Sequence, residues 1–203
     1  MEGTNPVNKK LTAALSGGAV LILALTGCSS SDGGDKGNDK LDAWAKQVCD
    51  AVKPQAQKIR AANAAIQKET SDNSPPAQVQ KTDAQAFQDM SDAYRAIGAA
   101  VRNAGAPDVE NGKKKQQDAV EELTQLSSSY ASLQKQVDAL NTKDQAKFAE
   151  GLKDVATELD KLSKSGNDAL KNLEEGEVGA AMAKQASCRN TSSAATASPA
   201  VSG

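Results

Sequence analysis

The side chains with the widest chemical options in this 203-residue chain are its three cysteines, Cys28, Cys49 and Cys188. A thiol can be acylated, oxidised to a disulfide, bind a metal or act as a nucleophile, and its surroundings in sequence help to choose. None of the three lies in a Cys-x-x-Cys pair, and the chain has no histidine. The commonest general base, the commonest metal ligand and any simple switch near neutral pH are therefore missing. Carboxylates fall into three groupings: Glu121 with Glu122, Glu174 with Glu175, and Asp154 with Glu158 one helical turn on. Bundles that bind two irons pair glutamate with a histidine three residues later, which this sequence cannot supply, so these groupings read as solvated helix faces. Asp32, Asp35 and Asp39 could open a calcium loop, but the closing bidentate glutamate is absent. Lys113, Lys114 and Lys115 could meet an anionic lipid or wall polymer, against the plainer reading of a solvated run. No serine, threonine or lysine has an evident activating partner. The expectation is a protein with no catalytic residues, no metal and no cofactor.

Composition narrows the classes further. The formal net charge is −2, and removal of Lys9 and Lys10 together with Glu2 in a leader takes it to about −3, so no long-range field draws in nucleic acid. Hydrophobic residues make up 38% of the chain and charged ones 25%, an ordinary globular balance, but aromatics only 2%. A core so rich in alanine suits close-packed helices.

The positions of the cysteines gain meaning from the N-terminus. Lys9 and Lys10 precede an apolar stretch from Leu11 to Leu25 that includes Ala19, Val20, Leu21, Ile22, Leu23 and Ala24. A basic start and a short greasy segment form an export signal. As a helix the segment is about 22 Å long, short for a hydrocarbon core of about 30 Å, so it is expected to be removed. The residues that follow, Leu25, Thr26, Gly27 and Cys28, resemble the lipobox of bacterial lipoproteins. That resemblance implies a diacylglyceryl group on the Cys28 sulfur and cleavage between Gly27 and Cys28 by a lipoprotein signal peptidase. The other reading is an ordinary signal peptide with a chance cysteine. Two buried acyl chains, at about 0.8 kcal/mol per methylene, would hold the product at the membrane stably.

Beyond residues 1–27 as signal peptide, four parts are expected in all. Residues 28–39, with Ser29 to Asp39 offering no apolar side chain, read as a flexible tether. Residues 40–188 read as a helical bundle domain, and residues 189–203 as a disordered tail too polar and small-sided to build a core. Inside the domain the apolar residues recur at steps of three and four. A first helix over 40–71 carries Leu41, Trp44, Val48, Val52, Ile59 and Ile66, with a kink expected at Pro54, and ends before Pro75 and Pro76. A second over 77–104 carries Phe87, Met90, Tyr94, Ile97 and Val101 and stops at Gly105 and Pro107. A third over 108–140 carries Leu123, Leu126, Tyr130, Leu133, Val137 and Leu140. Thr142 and Gln145 match a capping box for a fourth over 143–174, through Phe148, Leu152, Val155, Leu159, Leu162, Leu170 and Leu173. Gly176 then admits a short helix from Glu177 to about Ser187.

The fold class expected is all-α: an antiparallel up-and-down four-helix bundle with a short C-terminal fifth helix. That topology returns the end of the fourth helix to the start of the first and carries Cys188 towards Cys49, so a disulfide is expected between them, leaving Cys28 as the odd, lipidated cysteine. The alternative is two free thiols. Trp44, Phe87, Tyr94, Tyr130 and Phe148 all fall on apolar stripes and read as core. Asn63 and Gln88 are the polar side chains nominated for any cleft between helices.

The body also resembles small secreted lipoproteins common in actinobacteria. The shared pattern is an early cysteine after a tryptophan-bearing segment, stretches like AFQDMSDAYRAI and GLKDVATELDKL, and a late cysteine. This resemblance implies an envelope location and a disulfide, and no activity. The functional expectation is a lipid-anchored, non-catalytic protein on the outer face of the cytoplasmic membrane. It would be held by its anchor and would engage another envelope protein. The alternative is a binding module for a small hydrophobic or wall-derived ligand between helices. Met1 to Pro6 adds an acidic residue ahead of the basic leader, which points to initiation at Val7 rather than Met1. Mass spectrometry of the uncleaved precursor is expected to find no peptide containing residues 1–6.

Overall fold

The computed structural model describes residues 36–71, 74–164 and 168–192. The signal peptide, Cys28 and the first part of the expected tether lie outside them. All regular structure among the described residues is helical: α1 Lys36–Ser71, α2 Pro76–Ala104, α3 Gly112–Asp138, α4 Gln145–Lys164, α5 Asp168–Glu174, α6 Glu177–Lys184 and α7 Ala186–Ser192. None of these helices is long and apolar enough to cross a membrane.

The three long helices form because each carries an apolar stripe and few residues that resist helix. α1 runs through Pro54, whose ring costs one backbone hydrogen bond but sits on an exposed face. α2 opens with Pro75 at its N-cap and Pro76 in its first turn, where a missing N–H is harmless. Trp44 Nε1 donates to the Gly105 carbonyl at 2.8 Å, and Gln78 Nε2 donates to Glu69 at 2.9 Å. The two bonds pair opposite ends of α1 with opposite ends of α2, so the helices run antiparallel. Among the described residues α2 and α3 make the most extensive packing, followed by α1 with α2.

The α2–α3 seam is tight because small residues line it. A Cβ added to Gly98 would lie 3.3 Å from Leu123 Cβ, and the Ser91 hydroxyl donates to the Ser127 carbonyl at 2.8 Å. Around this contact lie Phe87, Met90, Tyr94, Ile97 and Val101 of α2 and Leu123, Leu126, Tyr130, Leu133 and Val137 of α3, all buried. Tyr94 and Tyr130 stack with ring centres 5.4 Å apart and planes 8° from parallel. Burial pushes both phenols above their ordinary range, so they stay neutral.

Several boundaries differ from the sequence expectation. α1 begins at Lys36, inside the stretch expected as tether. Once the stripe from Leu41 has nucleated a helix, each added residue costs little, and Asp39 suits the positive end of the dipole. Residues 108–111 form a turn rather than the first turn of α3, with Asn111 in the left-handed region at φ 56°. The expected capping box on Thr142 and Gln145 is not what starts α4. Asp144 Oδ1 instead accepts the Lys147 backbone N–H at 3.1 Å, a carboxylate N-cap. Of the fourth helix expected over 143–174, α4 and α5 are helical, and residues 165–167 between them lie outside the described residues. The expected fifth helix is two. Gln185 adopts an extended backbone (φ −79°, ψ 123°) between α6 and α7, and α7 reaches Ser192, so the expected tail begins with helix.

α4 is the least committed of the longer helices. Phe148 and Val155 are buried, but Leu152, Leu159 and Leu162 are only half-buried. Removing Leu123, at 0% exposure, should therefore cost more than removing Leu152. Leu123→Ala is expected to lower stability by about 3 kcal/mol and Leu152→Ala by about 1 kcal/mol or less, read from urea unfolding.

Candidate functional site

The one covalent feature that joins distant parts of the described chain is the bond between Cys49 and Cys188, residues 139 apart in sequence with Cα atoms 5.1 Å from each other. Cys49 lies on the buried face of α1, and Cys188 sits in the first turn of α7. Both are essentially inaccessible, at 0% and 2% exposure. The extended Gln185 makes the approach possible, because it breaks the run of α6 and lets α7 turn onto α1.

Polar contacts reinforce the junction. Lys184 Nζ lies 3.2 Å from both carboxylate oxygens of Asp42. Gln185 Nε2 donates to the Asp42 carbonyl at 3.4 Å, and the Ser187 hydroxyl donates to Asp50. The Lys46 ammonium and the Ser187 hydroxyl hold the Asp50 carboxyl below its ordinary range. Val178, Ala181 and Met182 of α6 are buried beneath these contacts. Gly176, at φ 69°, makes the turn into α6 that a side chain would resist.

The other residues singled out from sequence do not converge. Asp154 and Glu158 are both exposed, and Glu158 pairs with Lys161. Glu121 is exposed and Glu122 half-buried on α3. Glu174 is half-buried, and burial pushes its carboxyl up to about 7, while Glu175 is exposed. Lys113, Lys114 and Lys115 fall in the first turn of α3, and Lys114 bridges to Asp118. Asn63 and Gln88 are half-buried, on α1 and α2. Among the described residues no three histidine, cysteine, aspartate or glutamate side chains come together. The groove between the end of α2 and the start of α3 is open, roughly 680 Å³, and lined mainly by Arg102, Gln116, Gln117, Glu121, Thr124 and Gln125.

Two polar groups went unremarked in the sequence yet lie on helix stripes, Asp83 in the core and Gln55 half-buried. Asp83 extends the α2 stripe one step ahead of Phe87 and is 7% exposed, with Oδ1 buried and without a partner. Gln55 falls at the corresponding step of the α1 stripe, between Val52 and Ile59, and its Oε1 is likewise buried without a partner. The signal available was spacing: both continue a run of three and four whose other members are apolar.

No protein-family model, curated protein or solved structure matches this chain. Its function is therefore argued from its own residues.

The disulfide closes a loop for which chain entropy gives about 5 kcal/mol as an upper value. Cys49→Ser with Cys188→Ser is expected to lose several kcal/mol of unfolding free energy and to free α7, detected as trypsin cleavage at Arg189 in the folded double variant but not in the wild type. Lys184→Ala, which breaks an exposed ion pair, is expected to cost under about 1 kcal/mol.

Proposed function

We propose that this protein is a lipid-anchored, non-catalytic helical module on the outer face of the cytoplasmic membrane, which engages another protein of the cell envelope. The observation that carries the proposal is the Cys49–Cys188 bond. Buried disulfides persist in oxidising compartments outside the cytoplasm. With two of three cysteines used in this way, Cys28 is left alone, and it stands at the end of Leu25, Thr26, Gly27, Cys28 behind a basic and apolar leader. Export, acylation and cleavage at one cysteine account for both the odd count and the leader. In this reading the body is an antiparallel up-and-down four-helix bundle. α4 and α5 together serve as its fourth member, and α6 and α7 fold back onto α1.

A partner-binding role accords with the surface. The exposed faces of α1, α3 and α4 are dense in lysine, glutamate, aspartate and glutamine, with Glu121 on α3 and Asp154 and Glu158 on α4 among the nominated carboxylates. Such a surface offers polar rims for a protein interface and no gathered set of reactive groups.

One observation favours a second reading, a site for a small apolar ligand between helices. α1 and α4 make no extensive backbone approach. Val52, Ile59 and Ile66 on α1 and Leu159 and Leu162 on α4 are only partly buried, and the unpartnered Gln55 oxygen belongs to the same stripe of α1. Thermal stabilisation by a lipid or wall fragment would support this reading over the first, and a protein crosslinked on intact cells would support the first.

For the anchor itself, wild-type protein from cells is expected to partition into detergent and to carry an acylated Cys28 as its first residue by mass spectrometry. Cys28→Ser is expected to lose the acyl mass. An unmodified thiol at residue 28 of the exported wild type would overturn the proposal.

A further inference from the structure

We propose that the outer face of α1 between Asp50 and Glu69 docks on an anionic phospholipid bilayer, laying the domain along the membrane. The inference goes beyond the lipid anchor and rests on it only for the nearness of that membrane.

Charge is the first support. Between Asp50 and Glu69 the chain carries four cations, Lys53, Lys58, Arg60 and Lys68, and no acid. The other long helices have no such excess: α2 carries three residues of each sign, and α3 and α4 four of each. The acids that border the face are already engaged. Asp50 accepts from Lys46 and Ser187, and Glu69 accepts from Ser74 and Gln78. On the neighbouring α2, Asp89 accepts from Gln85 and Asp92 pairs with Arg95. A surface of negative charge attracts this side of the molecule and has little pull on the balanced helices behind it, so charge sets orientation as well as affinity. The run Lys113 to Lys115 differs, because Lys114 bridges to Asp118 and α3 is balanced as a whole.

The make-up of the face is the second support. Pro54, Gln57, Ala61, Ala64 and Lys68 recur at steps of three and four and are all exposed, which places them on one outer stripe. Lys58 is exposed on one flank of that stripe, and Lys53 and Arg60, seven residues apart, lie half-buried on the other. The stripe has no large apolar side chain to insert into hydrocarbon. Its attraction is therefore that of charge at a surface, which salt screens.

Position is the third. α1 begins eight residues after Cys28, a span of at most about 28 Å. The face starts about 26 Å along the helix. A lipid on Cys28 thus keeps the face within reach of the bilayer and lets α1 lie flat on it.

The test uses the mature chain, residues 28–203, with Cys28→Ser so that no acyl chain contributes, sedimented with lipid vesicles. It is expected to bind vesicles of phosphatidylcholine with one third phosphatidylglycerol at low salt, to be released by about 0.5 M salt, and to leave pure phosphatidylcholine vesicles bare. Each lysine or arginine at an anionic surface strengthens binding about fivefold. Lys53→Gln, Lys58→Gln and Arg60→Gln together are then expected to weaken it roughly a hundredfold. Lys113→Gln, Lys114→Gln and Lys115→Gln, which change the net charge equally, should weaken it by less than about fivefold. No binding to the anionic vesicles, equal binding to both kinds, or equal loss in the two triple variants would overturn the proposal. So would crosslinks from Lys58 to an envelope protein on intact cells in the absence of vesicle binding. Should the first triple variant lose its helical circular dichroism, amine labelling of the unsubstituted face decides: Lys58 shielded by anionic vesicles supports the proposal, and equal labelling with and without them overturns it. An unacylated Cys28 in the exported protein would sink the anchor and leave this measurement as it is.

Discussion

The close approach of α2 and α3 is the contact on which the rest of the molecule depends. It exists because Gly98 and Ser91 on one helix meet Leu123 and Ser127 on the other, so the backbones come near enough for the larger side chains above and below to interlock. Phe87, Met90 and Tyr94 join Leu126, Tyr130 and Leu133 in one buried cluster. α1 adds to the pair from its side of α2, and α3 is approached by α4 and α5. A bulky side chain at Gly98 would push the pair apart and weaken these secondary contacts with it.

A core with so few aromatic residues places its rings with economy. Tyr94, Tyr130 and Phe87 form one cluster at the α2–α3 seam, and Trp44 closes one end of the α1–α2 pair through its indole N–H. Their polar atoms find partners within this arrangement, whereas Gln55 and Asp83 leave an oxygen each without one. An unmet acceptor in a seam is destabilising. Burial pushes the Asp83 carboxyl up to about 7, which favours its neutral form.

The C-terminal helices work differently from the long ones. α6 and α7 are only 8 and 7 residues long, below the length at which a helix persists alone. They are kept by what they touch: the disulfide, the Lys184–Asp42 pair, and the burial of Val178, Ala181 and Met182. The proposed anchor and this junction lie on the same part of the chain, since α1 begins eight residues after Cys28 and carries both Asp42 and Cys49.

The sequence by itself determined the all-helical class, the stripes of α1 to α3 and the pairing of Cys49 with Cys188. Periodicity, paired prolines and an odd cysteine count are local or arithmetic signals that need no coordinates. It also carried Leu25 to Cys28, whose meaning rests on residue types in a row. Tertiary structure decided the extended Gln185 and the capping of α4 by Asp144, because each depends on how a short segment balances weak propensity against what it can pack on. It alone identified Asp83 as a core residue and Gln55 as half-buried. A polar side chain in a stripe looks in sequence like the edge of that stripe, and only the neighbouring helices determine whether water reaches it.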